Sequence, residues 1–305
     1  MSASPGGPVL ECVPNVSEGR DPGIVAEFAA AIRGAARSTP AVRLANVHAD
    51  PDHHRSVFTF LGPPEAVEAA ALALGAAVAA RLDIRTHRGA HPRMGALDVL
   101  PFVPLSGLTM ADAVAVARRV GAALARAHDL PVYFYGAAAA VPQRAALTTV
   151  RAGQYEGLPA RLADPAWRPD CGPARFNARL GATAVGARGV LVAYNLWLDS
   201  DNLGAARAIA RAVRESSGGL PALQAMGVAL ERRGLVQVSM NLLDYRVTSI
   251  PRAYDAVVED ARRRGIAVKR GELVGLAPRA AFEGRPPESV GLADFSDALC
   301  LETYL

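Results

Sequence analysis

The amino-acid sequence predicts an α/β fold of the α+β type, with two similar subdomains in which a mixed β-sheet carries helices on one face. Three observations predict it. Of 305 residues, 51% are hydrophobic, enough for a core of the size that chains of this length usually divide between two domains. Short apolar runs with β-like patterning alternate with stretches of helical periodicity. The alternation is interrupted once, over the proline- and glycine-rich segment Gly136–Leu180, and then resumes. The boundary is therefore placed at residue 180, giving subdomains 1–180 and 181–305.

The elements follow in order. Val9–Val13 is short and apolar, ends at Pro14-Asn15, and reads as a strand. Pro22–Gly34 has helical spacing, with Asp21 placed as its cap. Val42–Val47 and Ser56–Leu61 read as strands around a polar loop, His48–Arg55. Pro64–Leu82 is a helix opened by a Pro-Glu pair. Ala96–Val103 is a strand, Thr109–His128 a helix capped by Thr109, and Val132–Tyr135 a strand. Beyond the weak segment come a strand at Gly189–Leu196, helices at Leu203–Glu215 and Ala222–Arg233, and a strand at Leu235–Leu242. A helix at Ala253–Arg264 and a strand at Ile266–Lys269 complete the pattern.

Composition excludes several classes of function. The net charge of +4 is the small difference between 33 basic and 29 acidic residues, and the longest basic run is the triplet Arg262–Arg264. With aromatics at 6%, neither a nucleic-acid arm nor a stacking platform for single strands is expected. Ala69–Ala80 is too short to span a bilayer. Met1–Pro8 lacks the basic start and apolar centre of a signal peptide. Cys12, Cys171 and Cys300 show no metal or redox spacing. A cytoplasmic protein with no membrane partner is the expectation. No phosphate-binding loop, dinucleotide fingerprint or nucleophile elbow is present.

Histidine placement is the most informative feature. Five of six histidines (His48, His53, His54, His87, His91) fall within 44 residues, all in segments expected to be loops. His128 ends a helix, where an imidazolium suits the dipole, and is read as structural. His87 and His91 have the spacing of a metal-binding pair on a helix. However, Gly89 lies between them, Pro92 follows, and no glutamate adjoins either. No metal is assigned. The stronger reading is acid–base catalysis, since an imidazole both accepts and releases a proton near neutrality. In Gly89-Ala90-His91-Pro92-Arg93-Met94-Gly95 the proline restricts the backbone beside one imidazole, and Arg93 adds a positive charge. Exposed loop histidines are the plain alternative.

Several stretches carry a resemblance. Glu11-Cys12-Val13-Pro14-Asn15-Val16-Ser17-Glu18-Gly19 and His91-Pro92-Arg93-Met94-Gly95-Ala96-Leu97-Asp98-Val99 resemble the formiminotransferase domain of the formimidoyltransferase-cyclodeaminase family. Pro131–Gly136, Arg151–Glu156, Gly181–Thr183 and Gln237–Asp244 are similar to it as well. The resemblance implies a one-carbon transferase that moves a formimino group between N-formimidoyl-L-glutamate and tetrahydrofolate. It implies two α/β subdomains with a folate tunnel between them, assembled as a homodimer. It places the catalytic histidine at His91. The folate-binding stretch falls on Gly172, Pro173, Ala174, Arg175, Phe176, Asn177, Ala178, Arg179, Leu180 and Gly181. Arg175 and Arg179 would meet substrate carboxylates. Bifunctional members continue into a helical cyclodeaminase, and that activity is expected to be missing here. Two positions depart from the family. His48 stands where animal members carry an acid thought to assist the histidine, with Asp50 two residues on. Leu180 replaces a common tryptophan. His48 or Asp50 would then orient His91 or hold its charge. The departures leave open an enzyme acting on 5-formyltetrahydrofolate or another amine, and a folate-binding protein without turnover.

Overall fold

The computed structural model describes residues 7–35 and 42–305. The chain forms two compact units, one ending at Arg188 and the next starting at Gly189.

The first unit is built on a seven-stranded mixed sheet. Leu10–Cys12 (β1) and Asn15–Val16 (β2) are two pieces of one line of chain, broken at Val13-Pro14, where proline has no N–H to give to a ladder. The helix Pro22–Ala35 (α1) follows, its first amides capped by the Asp21 carboxylate. Arg43–Asp50 (β3) and Arg55–Gly62 (β4) then form an antiparallel hairpin. The polar loop expected at His48–Arg55 is therefore shorter, with a turn at residues 51–54 and His48 within β3, paired to Val57. Pro64–Arg81 (α2), Leu97–Pro104 (β5) and Met110–His128 (α3) come next. Thr109 and Asp112 cap α3 reciprocally, each side chain accepting from the other's amide. β1 and β2 lie between β4 and β5 and are antiparallel to both.

Val132–Gly136 (β6) is followed by the weakly patterned segment, which holds two short helices, Leu147–Val150 (α4) and Leu158–Ala163 (α5). Thr183–Ala187 (β7) then inserts between β5 and β6, parallel to both. This strand escapes periodicity because all five residues are buried, so small and apolar residues run on without alternation. It also carries the first unit past the expected boundary at 180. α1, α2 and α3 bury one apolar cluster against one sheet face, with Phe28 set edge-on to Phe58. Met94, Tyr133, Tyr135, Val150, Leu158 and Leu162 form a smaller cluster that includes residues of α4 and α5.

In the second unit the strands Val192–Leu198 (β8), Leu223–Leu230 (β9), Leu235–Leu242 (β10) and Val268–Val274 (β11) form a sheet in the order β11-β8-β10-β9. Unlike the first sheet, and unlike the mixed arrangement expected, every pairing here is antiparallel. Leu203–Val213 (α6) and Ile250–Arg263 (α7), capped by Asn202 and Ser249, share a core with it. The segment expected as the helix Ala222–Arg233 is strand β9, paired residue for residue with β10 through a turn at Gly234. Alanine, leucine and glutamine favour a helix there, but a full ladder and alternating burial outweigh that local preference. Gly227 sets the approach of α6: a β-carbon there would stand 2.4 Å from the Arg207 amide nitrogen. Among the described residues no helix is long and apolar enough to cross a membrane.

Gly227→Val is therefore expected to force α6 off the sheet, at a cost of about 1–3 kcal/mol. Urea unfolding followed by Trp197 fluorescence in a Trp167→Phe background checks it, because Trp197 lies on β8.

Candidate active site

The histidine cluster is assembled by two short chain segments lying across one another. The turn of the β3–β4 hairpin supplies His53, His54 and Arg55. The loop between α2 and β5 supplies His87, His91 and Arg93. The contact is backbone to backbone: the Ala90 amide donates to the Asp52 carbonyl at 3.1 Å. Gly89 permits it, since a β-carbon there would meet the His53 carbonyl oxygen at 2.2 Å. Val16, Ser17 and Asp98 complete the lining of a small cleft.

Asp98 anchors the loop. It is a buried acid in an otherwise apolar strand, and one oxygen accepts from the Met94 amide at 2.7 Å. The other pairs with Arg151, which arrives from the segment after α4. Ser17 Oγ donates to the Gly95 carbonyl at 2.7 Å and holds the far end of the loop.

The two loop histidines have opposite hydrogen-bond settings. His87 Nε2 donates to the His54 carbonyl at 2.8 Å, so its Nδ1 is free to accept from Arg93 Nε at 3.1 Å. Both ring nitrogens are engaged, and His54 stacks on the ring at 4.2 Å. Burial first, then the neighbouring His54 and Arg93, bring His87 down to about 4. His91 is the reverse. Its Nδ1 donates to the Pro92 carbonyl at 2.7 Å, and its Nε2 accepts from Arg55, which has only protons to offer. Burial, with Arg55, Arg151 and His53 behind it, holds the His91 pKa well below the ordinary histidine range. At neutral pH His91 is thus a neutral imidazole with its lone pair on Nε2, in the cleft.

The remaining charges are matched. Arg93, expected to act on the site as a positive charge, forms a bidentate pair with Glu156 at 2.7 and 2.9 Å. Its guanidinium carbon stands 5.5 Å from the centre of the Tyr155 ring. Against the upward pull of burial, hydrogen bonds from His54 and the Arg20 and Asp21 amides bring Glu18 down to about 2.

His48 lies on β3 and is not in the cleft lining, nor is Asp50. Asp50 accepts from the His53 amide at 2.7 Å and acts on Arg55 through its charge. The stretch Gly172–Gly181 runs to the base of the loop that bears His91. Gly181 bridges Gly95, the Leu180 carbonyl accepts from Ala96, and the Met94 carbonyl accepts from Ala182. Phe176 packs on Tyr155 at 5.3 Å, and Tyr155 donates to the Ala178 carbonyl at 2.5 Å. Arg175 pairs with Asp129 at the surface, and Arg179 donates to the Ala80 carbonyl at 2.9 Å. Gly172, Pro173, Ala174 and Asn177 turn beside the end of α3, where Asn177 Nδ2 donates to the Asp129 carbonyl at 3.2 Å. The buried Leu180 lines a separate apolar cavity with Gly75, Val78, Leu124 and Leu130. His128 borders the same cavity, and burial lowers its pKa, against the imidazolium expected at that helix end.

Sequence reasoning passed over Arg55, Asp98, Arg151 and Glu156. A signal existed for Asp98, a lone acid inside an apolar strand, and for Arg55, which follows two histidines. Arg151 and Glu156 lie in the irregular segment, where the signal was the resemblance of the stretch Arg151–Glu156 to the family.

Profiles of two families match the chain: formiminotransferase domain, N-terminal subdomain, over residues 9–188, and formiminotransferase domain over residues 193–284. Glutamate formimidoyltransferase of Streptococcus pyogenes serotype M1 is 39% identical over 274 residues, 90% of each chain. That of Thermoplasma acidophilum is 41% identical over 277 residues, 90% of this chain and 89% of its own. The formimidoyltransferase-cyclodeaminase of Rattus norvegicus is 42% identical over 280 residues, 90% of this chain and 51% of the larger protein.

Two outcomes follow for the site's framework. Asp98→Asn leaves Arg151 without its anion in a buried setting, and a loss of about 3–5 kcal/mol is expected in chemical denaturation. The second concerns pH. An unfolded chain protonates His87 near pH 6.5, while the folded chain does so only near 4. The unfolded state therefore binds the extra proton in between, and stability falls as pH drops from about 6.5 to 4. His87→Gln should remove about 1–2 kcal/mol of that dependence after allowance for solvent screening, as read by melting temperature against pH.

Proposed function

The chain belongs to the formiminotransferase family, and from that membership we propose that it is a glutamate formimidoyltransferase in which His91 carries the proton. The reaction moves the formimino group between N-formimidoyl-L-glutamate and tetrahydrofolate. In the forward direction the N5 amine of the folate attacks the formimino carbon. The new C–N bond forms, the amine gives up its proton, and the bond to the glutamate nitrogen breaks as that nitrogen gains one. A single base can take the first proton and return it to the leaving nitrogen, provided that one of its nitrogens offers a lone pair to the substrates.

The observation that carries this reading is the setting of His91. Its Nδ1–H is tied to the Pro92 carbonyl, which leaves Nε2 as the basic atom in the cleft. His87 is engaged at both nitrogens as well, but by the His54 carbonyl and by an Arg93 that Glu156 holds in a bidentate pair. Support for folate as the second substrate comes from the relatives and from Gly172–Gly181. That stretch meets the catalytic loop through Gly95 and presents Phe176 against Tyr155, a pair of rings suited to a flat heterocycle. Holding both reactants against one base lowers the entropic part of the barrier.

His91→Ala is expected to reduce formimino transfer by about 10²–10⁴-fold while leaving the fold and the binding of tetrahydrofolate in place. Steady-state transfer assays, paired with folate titration by calorimetry, check both halves. Turnover near that of the wild type would sink the assignment.

A further inference from the structure

We propose that Arg55 is the receptor for a carboxylate of the glutamyl substrate and, until that carboxylate arrives, a latch on the catalytic base. The inference rests on the reading of His91 as the proton carrier and adds to it a specificity-determining residue and a means of coupling binding to basicity.

Arg55 is the first residue of β4, paired across the hairpin with Asp50, and its side chain lines the cleft. Its guanidinium donates to His91 Nε2, the atom that has to be free for proton transfer. While that bond is made, the lone pair of the base is covered.

The second step is charge matching. Arg55 and Arg93 line the cleft, and Arg151 acts on His91 from beside it. Arg93 has a bidentate carboxylate in Glu156, and Arg151 has Asp98. Asp98 spends its other oxygen on the Met94 amide, and Asp50 has one oxygen on the His53 amide. Arg55 donates instead to a neutral ring, with Asp98 and Asp50 acting on it only through space. A guanidinium carries five N–H groups in a planar fork that fits a carboxylate with two parallel bonds, whereas an imidazole nitrogen accepts one. Burial first, and then Arg151, lower its pKa to about 9, so it remains charged at neutral pH. A partly buried cation bonded to a neutral acceptor is the group on which an incoming carboxylate gains most.

The third step is linkage. Around His91 stand Arg55, Arg151 and His53, with Asp98 held against Arg151 and Asp50 acting on Arg55. His54 with Glu18, and His87 with Arg93 and Glu156, complete the charged lining. Protonating His91 beside Arg55 places two cations in contact. When a carboxylate engages Arg55, the guanidinium leaves Nε2, its charge is neutralised, and the imidazole becomes a better base. By reciprocity, a protonated His91 holds the carboxylate more tightly. The base is thus exposed when the glutamyl donor is present and covered when it is not.

The test uses the full-length protein labelled with ¹⁵N-histidine, in wild-type, Arg55→Met and Arg55→Lys forms. The probes are N-formyl-L-glutamate, which has the donor's two carboxylates but an inert amide, and its neutral diamide. In the wild type without probe, His91 is expected as the Nδ1–H tautomer, neutral well below the ordinary histidine range. Arg55→Met should return its titration toward that range. N-formyl-L-glutamate should shift the wild-type resonance in the same direction, and the diamide should not. Affinity for the dicarboxylate should fall by about tenfold or more in Arg55→Met, and KM for the glutamyl donor should rise while that for tetrahydrofolate holds. Arg55→Lys keeps the charge without the fork and should weaken dicarboxylate binding even if the methionine variant fails to fold. An unchanged His91 titration in Arg55→Met overturns the latch. Equal dicarboxylate binding by the wild type and Arg55→Lys, or no binding by the wild type, overturns the receptor. Either result is independent of the His91→Ala assay, because the titration reports the bond to Arg55 whether or not His91 carries the proton.

Discussion

The site depends on one buried carboxylate. Asp98 sits in the apolar strand β5, where an unmatched charge would be costly, and it is matched on both oxygens. One partner is the Met94 amide, which pins the loop bearing His91 to the sheet. The other is Arg151, which pins the irregular segment after β6 to the same point. The junction ties both segments to one point of the sheet, although the loop has no periodicity of its own and α4 is a single turn. The same junction brings Tyr155 and Glu156, a few residues beyond Arg151, against Arg93.

From that frame, identical side chains acquire different chemistry through their hydrogen bonds. His87 and His91 are four residues apart in one loop. His87 donates from Nε2 and accepts at Nδ1, both within the fold, and so becomes a strut. His91 donates from Nδ1 to its own neighbour's carbonyl and turns Nε2 to the cleft. The choice of tautomer is made by what each ring meets, a carbonyl in one direction and an arginine in the other. Arginine chemistry divides in the same way. Arg93 and Arg151 are consumed by carboxylates of the protein, and Arg55, bonded to a ring, keeps its affinity for one brought from outside.

Much of the framework was legible beforehand because local signals and tertiary demands agree. Asp21 and Thr109 cap helices that also have apolar faces to bury, and β1, β4, β5 and β10 carry runs of strand-forming residues. Where the two conflict, sequence patterning misleads. β9 has the composition of a helix but an unbroken partner in β10. β7 has no alternation because it is buried throughout, and so the first unit runs on to Arg188. His48 was grouped with loop histidines because its neighbours are polar, yet it belongs to a strand whose residues are mostly exposed or half-buried, so the polarity there is that of a surface strand.

The sequence by itself determined the family, the alternation of strands and helices, and the block around His91, because these are carried by residues close together in the chain. The tertiary structure alone decided which histidine turns a basic Nε2 to the cleft and which arginine bonds to it. Those properties are set by contacts such as Asp98 with Arg151, 53 residues apart, and Arg55 with His91, 36 apart. Hydrogen-bond direction and burial exist only once such groups are brought together, and no local pattern encodes them.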